Sequence, residues 1–102
     1  AVLKVYIEHV TVNGIVFHYT EEGKPEGLCK AKRLVYITTS GGPCSFANYG
    51  FEYFQGIARM FGIPETHFIS AELLDVVGQD VDATMNDALA HVQNLKETLP
   101  AL

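Results

Sequence analysis

A chain of 102 residues, 48% hydrophobic and 19% charged, is long enough for one small globular domain and too short for two. The apolar fraction argues against disorder, and a formal charge of −5, from 7 Lys and Arg against 12 Asp and Glu, argues against a phosphate-binding surface for nucleic acid. No apolar run reaches the length of a membrane span and no charged leader precedes an apolar core, so the expected compartment is a reducing cytoplasm, with neither nucleic acid nor membrane as partner.

In chain order, Leu3, Tyr6, Ile7 and Val10 recur at helical spacing with no capping residue ahead of them, and Asn13-Gly14 is the predicted end of that helix. The sequence is expected to open inside a helix or at its mouth, as though something upstream had been removed. Ile15-Val16-Phe17-His18-Tyr19 reads as extended, and Thr20 to Lys32, with Gly23, Pro25 and Gly27 among several charges, reads as a surface loop. Leu34 to Thr39 is a near-continuous β-branched and aromatic run, the pattern of a central parallel strand covered on both faces. It runs into Ser40-Gly41-Gly42-Pro43, which forces a sharp turn.

From about Ala47 to Phe61 the positions Gly50, Tyr53, Phe54, Ile57 and Phe61 define a helix with one apolar face, ended by Gly62 with Pro64 beyond it. Thr66 to Ser70 is a second short strand. An acidic connection with Glu72, Asp75, Asp80 and Asp82 follows, and the last helix starts after Asp80, carries Val81, Met85, Ala88, Val92 and Leu95 on one side, and is closed by Pro100. Helix, strand, helix, strand, helix is the alternation of an α/β fold with a parallel sheet. Two strands alone leave unpaired edges, so residues 1–102 are expected to be the carboxyl-terminal part of a larger sheet.

Ligands of open α/β sheets sit outside the carboxyl ends of the strands, where Thr38-Thr39-Ser40-Gly41-Gly42-Pro43 falls; glycines there let backbone N–H groups approach a flat ring or an anion, although such a loop also serves simply as a turn. Tyr53, Phe54 and Phe61 read as core, whereas Tyr19, Tyr49 and Phe51 lie off that stripe and are candidates to face a pocket or a partner chain. Cys29 and Cys44, with four scattered histidines, match no metal spacing, and His18 and His67 read as sheet-surface residues. Cys44 lies in Gly42-Pro43-Cys44-Ser45, without a nucleophile elbow or an adjacent activating group, so a thiol hydrolase is a weak alternative. The acidic stretch from Glu72 to Asp87 lacks calcium-loop spacing and reads as a solvated connection, with Asp80 or Asp82 favoured by a helix N-terminus.

The run Leu3-Lys4-Val5-Tyr6-Ile7-Glu8-His9-Val10, then Gly14 to Glu21, Gly27-Leu28, Lys32-Arg33 before the strand and Gly41-Gly42 after it, together with Phe61-Gly62-Ile63, resembles the FMN-dependent NADH azoreductases and the similar NAD(P)H quinone reductases of the flavodoxin-like superfamily. Members have often carried the label acyl carrier protein phosphodiesterase. The resemblance covers nearly the whole chain. It implies the carboxyl-terminal half of a flavodoxin-like three-layer fold, FMN at the strand ends, NAD(P)H as co-substrate, a quinone or azo compound as acceptor, and a homodimer. It further implies cofactor binding by Thr39, Ser40, Gly41, Gly42 and Cys44, and substrate contact by Tyr19 and by Met60 or Phe61 from the partner subunit. Where the family usually has Ser-Arg-Gly-Gly this chain reads Thr39-Ser40-Gly41-Gly42, and Cys44 stands at a frequent family histidine, so a cation near the flavin is lost. The family's phosphate loop would precede Ala1, which implies weak FMN binding by these residues alone. The alternative reading is a non-enzymatic truncated module or proteolytic remnant that associates through its open sheet edge.

Overall fold

A computed structural model describes residues 2–44 and 48–99. Its elements are α1 (Val2–Val10), β1 (Phe17–Tyr19), β2 (Pro25–Gly27), β3 (Arg33–Thr39), α2 (Tyr49–Phe61), β4 (Glu65–Ala71) and α3 (Val81–Thr98). The expected start of α2 near Ala47 and the expected stop at Pro100 fall outside the described residues. The chain divides into two compact units, Ala1–Leu34 with Tyr53–Thr66, and Val35–Glu52 with His67–Leu102.

In the first unit, α1 follows the predicted apolar spacing, but only Ile7 is buried, while Leu3 and Tyr6 are exposed. The helix stops at Val10, short of Asn13-Gly14. Thr11 Oγ1 donates back to the Ile7 carbonyl at 2.6 Å, and the Val12 carbonyl accepts from the N–H groups of Ile15 and Val16 at 3.0 and 3.3 Å, which folds the chain into a turn. Ile15 and Val16 therefore belong to that turn, and the extended piece begins at Phe17.

The predicted surface loop contains a strand. β1 pairs antiparallel with β2 in the register Phe17↔Gly27, His18↔Glu26, Tyr19↔Pro25, and His18 Nε2 lies 3.5 Å from Glu26 Oε1 across the pair. Pro25, Glu26 and Gly27 are poor strand formers, and cross-strand pairing overrides that composition. Gly27 also lies against the end of α2, where a Cβ would come within 2.2 Å of Gly62 N and Phe61 C, and the Cys29 N–H donates to the Phe61 carbonyl at 3.0 Å. Gly62, at φ +81°, ends α2 where sequence placed the stop. Phe54, Ala58 and Phe61 are the buried face of α2, and Tyr53 packs edge-on to Phe54 under the Lys4 ammonium, 5.7 Å from its ring centre.

The strands β3 and β4 are hydrogen-bonded neighbours. Arg33 and Glu65, at their first residues, form an ion pair at 3.4 Å, and the Ser40 N–H just past β3 donates to the carbonyl of Ala71 at the end of β4, so the two run parallel with α2 as the crossover. In the second unit Ile69 and Ala71 are buried, and Tyr36, Phe51 and Phe68 stack together, Phe51 and Phe68 with ring centres 4.8 Å apart. Phe51 is thus part of a packed aromatic cluster, while Tyr49 is exposed. The expectation that β3 is covered on both faces is not met among the described residues: it pairs on one side only, and Val35 and Ile37 are exposed. Asp80 caps α3 by accepting the Ala83 N–H at 3.1 Å. Met85, Ala88, Val92 and Leu95 are half-buried along the predicted stripe, and Val81 is exposed. No described residue of α3 is fully buried.

Candidate functional site

The loop that leaves β3 is tied down through its carbonyl groups. Those of Ser40, Gly41 and Gly42 accept from the N–H groups of Leu74, Asp75 and Leu73 at 3.1, 3.2 and 3.3 Å, and the Ser40 hydroxyl also donates to the Gly42 carbonyl at 2.7 Å. The N–H groups of Gly41 and Gly42, by contrast, donate to none of the described residues. Consecutive backbone donors at a strand end are normally paired with protein, water or ligand.

Gly41 and Gly42 differ in their surroundings. A Cβ on Gly41 would lie 2.1 Å from Asp75 Oδ2, whereas one on Gly42 would meet none of the described residues within 4 Å. The exposed surface over Gly42 is therefore open to a flat group that approaches the backbone. A flavin ring carries carbonyl oxygens and ring nitrogens along one edge, and adjacent backbone N–H groups without a described acceptor are donors of the kind such an edge takes.

The far end of the loop is held by a carboxylate. The Cys44 N–H donates to Glu72 Oε1 at 2.6 Å, and the Ser70 hydroxyl donates to Glu72 Oε2. The Ser70 hydroxyl first, and the Cys44 N–H second, favour the ionised form and hold the Glu72 carboxyl below the usual range, against a smaller opposing effect of burial. Cys44 Sγ lies 3.5 Å from Ser40 Oγ. Leu73, which follows Glu72, has φ +65°, a left-handed conformation that costs a residue with a Cβ about 1 kcal/mol.

Of the residues predicted for the cofactor, Thr39 is the last residue of β3 and Ser40, Gly41, Gly42 and Cys44 lie in the loop that follows it. The predicted substrate residues Tyr19, Met60 and Phe61 belong to the first unit. Tyr19 is 57% and Met60 37% exposed, while Phe61 is 6% exposed and part of the core, so Met60 is the one of that pair whose side chain reaches the surface. Met60 also borders a groove with Pro25, Gly56 and Arg59.

Glu72 was not singled out from sequence, where it read as part of a solvated connection. The signal that could have found it is position: a carboxylate directly after a strand end, beside the glycine loop that ends the neighbouring parallel strand. It also lines a polar cleft of about 370 Å³ with Gln79, Thr84, Asp87 and His91. Among the described residues no group of three or more His, Cys, Asp or Glu is placed to hold a metal ion, and no helix is long and apolar enough to cross a membrane.

Comparison with known proteins adds to this geometry. Residues 1–95 match the family described as having a flavodoxin-like fold. The chain is 36% identical over 100 residues to the FMN-dependent NADH:quinone oxidoreductase of Coprothermobacter proteolyticus, covering 93% of this chain and 49% of that protein. It is 40% identical over 100 residues to the protein of the same name from Clostridium beijerinckii, covering 96% of this chain and 48% of that protein. The chain thus spans about half the length of the curated relatives it matches. Among solved structures, the fold superposes on an azoreductase from Bacillus anthracis str. Sterne with a TM-score of 0.80 at 21% identity, covering 96% of this chain and 49% of that one. It also superposes on an FMN-dependent NADH-azoreductase from Bacillus anthracis str. Ames Ancestor, solved in complex with FMN, with a TM-score of 0.77 at 24% identity, covering 91% and 46%.

Proposed function

The chain belongs to the flavodoxin-like-fold family, and from that membership we propose that it is part of an FMN-dependent NAD(P)H oxidoreductase that reduces quinones or azo compounds. The observation that carries the reading is the loop after β3, whose carbonyls are committed to residues 73–75 and whose Gly41 and Gly42 N–H groups donate to none of the described residues, which suits them to acceptors on a ligand. The names of relatives 36 and 40% identical to the chain support it.

Bound FMN would supply two-electron chemistry, accepting hydride from a reduced nicotinamide and delivering it to the acceptor. The chain's own residues bind and orient. Gly41 and Gly42 would hold the group with their N–H donors, and their lack of side chains would allow close approach. The Ser40 hydroxyl is turned inward onto the Gly42 carbonyl, so it stiffens the loop. With Ser40 in place of an arginine, no guanidinium would reach the ring from this position. Tyr19 and Met60 supply aromatic and apolar surface suited to a flat acceptor. The same reading takes the working protein to be a cytoplasmic homodimer.

The test is direct. The intact gene product is purified, its visible spectrum is recorded with and without added FMN, and NADH oxidation is followed with a quinone and with an azo dye. Flavin absorption and acceptor-dependent NADH oxidation are expected. A protein that stays colourless with FMN and leaves NADH unoxidised would overturn the reading.

A further inference from the structure

We propose that Glu72 is the positioning residue of the Ser40–Cys44 loop, its carboxylate fastening the far end of the loop to the end of β4 and thereby fixing where the Gly41 and Gly42 N–H groups point. The inference deepens the flavin reading and rests on it only for the identity of the ligand.

The geometry is that of a two-point clamp. One carboxylate oxygen takes the Cys44 N–H and the other takes the Ser70 hydroxyl, so Glu72 joins the loop after one strand to the end of its neighbour. Hydrogen bonds to an ionised carboxylate are roughly twice as strong as neutral ones. Glu72 also immediately precedes the three N–H groups, of Leu73, Leu74 and Asp75, that hold the loop carbonyls. The first of these comes from a residue in an unfavourable left-handed conformation. Such a turn persists where its surroundings over-determine it. Here the clamp on one side and the Leu73 to Gly42 bond on the other do so. With the Glu72 side chain removed, Cys44 N–H loses its acceptor and the loop is held through its carbonyls alone. Glu72 itself needs no contact with the ligand; it acts through the backbone it holds.

The experiment compares the intact gene product with its Glu72→Ala, Glu72→Gln and Ser70→Ala variants, using FMN as the probe in a fluorescence titration and ¹H–¹⁵N spectra to follow the Gly41, Gly42 and Cys44 amides without FMN. Glu72→Ala is expected to weaken FMN binding by about tenfold or more, move the Cys44 amide resonance upfield and speed exchange at Gly41 and Gly42. Glu72→Gln keeps an acceptor oxygen for Cys44 and is expected to recover affinity to within about threefold of the parent. Ser70→Ala, which leaves the chain intact around the loop, should loosen the same amides by a smaller amount, and it serves where Glu72→Ala fails to fold. Should the parent protein not bind FMN, the flavin reading fails, and the amide spectra alone decide the clamp. Loop amides in Glu72→Ala, or in Ser70→Ala where the first does not fold, with the parent's positions and exchange rates would overturn it. So would undiminished FMN affinity in Glu72→Ala.

Discussion

Gly41 and Gly42 are adjacent, yet a methyl group added at each should act differently. At Gly42 it meets none of the described residues within 4 Å, and the residue does not have the positive φ that a side chain would resist. Gly42→Ala should therefore leave the fold intact and, by restricting the unfolded chain, stabilise it by about 0.4–1 kcal/mol. The same methyl would stand on the open surface where a flat ring is proposed to lie and would hold it away from two N–H donors. Two neutral hydrogen bonds at about 0.5–1.5 kcal/mol each amount to about 1–3 kcal/mol, or roughly 5- to 150-fold in affinity. At Gly41 the methyl would come 2.1 Å from Asp75 Oδ2 and 2.7 Å from its Cγ, so that exposed side chain must swing aside. The Asp75 N–H bond to the Gly41 carbonyl is a backbone contact and need not break. Gly41→Ala should cost about 1 kcal/mol or less. Urea unfolding gives the two stabilities and FMN fluorescence quenching gives the affinities. A Gly42→Ala protein as stable as expected that binds FMN within twofold of the parent would refute the placement of the ring. One destabilised by more than about 1 kcal/mol would refute the claim that the space is open.

Other consequences follow from the same packing. Gly27→Ala drives a Cβ to 2.2 Å from backbone atoms of Phe61 and Gly62, which no side-chain rotation relieves. With overpacking at about 1–3 kcal/mol and the Cys29 to Phe61 bond lost at about 1 kcal/mol, the unfolding free energy should fall by about 2–4 kcal/mol in urea titration. Asp80→Ala removes the acceptor of the Ala83 N–H and should cost about 1 kcal/mol, seen as a lower midpoint in helix-sensitive circular dichroism, with Asp80→Asn near the parent. Because the Ser70 hydroxyl and the Cys44 N–H depress the Glu72 carboxyl, its contribution to stability is fully present above the ordinary Glu value of about 4.3 and is lost as pH falls through the lower folded value. The stability gap between parent and Glu72→Gln, measured in urea from pH 7 downward, should therefore close in acid; a gap independent of pH would contradict the assignment.

Legibility varied along the chain for physical reasons. The parallel β–α–β run was readable because its signals agree: β-branched residues between Arg33 and Thr39, an apolar stripe through Phe54 and Phe61, and a glycine at Gly62 that only a helix end explains. Asp80 was readable as a helix-terminal carboxylate, and the structure makes it the cap of α3. The β1–β2 hairpin was not, because Pro25, Glu26 and Gly27 have loop chemistry and become a strand only through partners at Tyr19, His18 and Phe17. The early end of α1 depends on the Thr11 side chain bonding backwards, an option that competes with helix and leaves no trace in periodicity. In the candidate site the glycine loop announced itself, but Glu72 did not: its role needs the end of β4 beside the loop after β3, a tertiary fact. The place of Phe51 is hidden from sequence for the same reason, since its stacking on Phe68 joins residues far apart in the chain.

Hydrogen–deuterium exchange on the intact gene product, with and without saturating FMN, measures the central claim, that the loop after β3 holds the flavin ring through the Gly41 and Gly42 amides. The account predicts marked slowing at Gly41 and Gly42 on FMN addition, with little change in the capped start of α3 around residues 80–84. FMN binding that leaves exchange at Gly41 and Gly42 unchanged would contradict it.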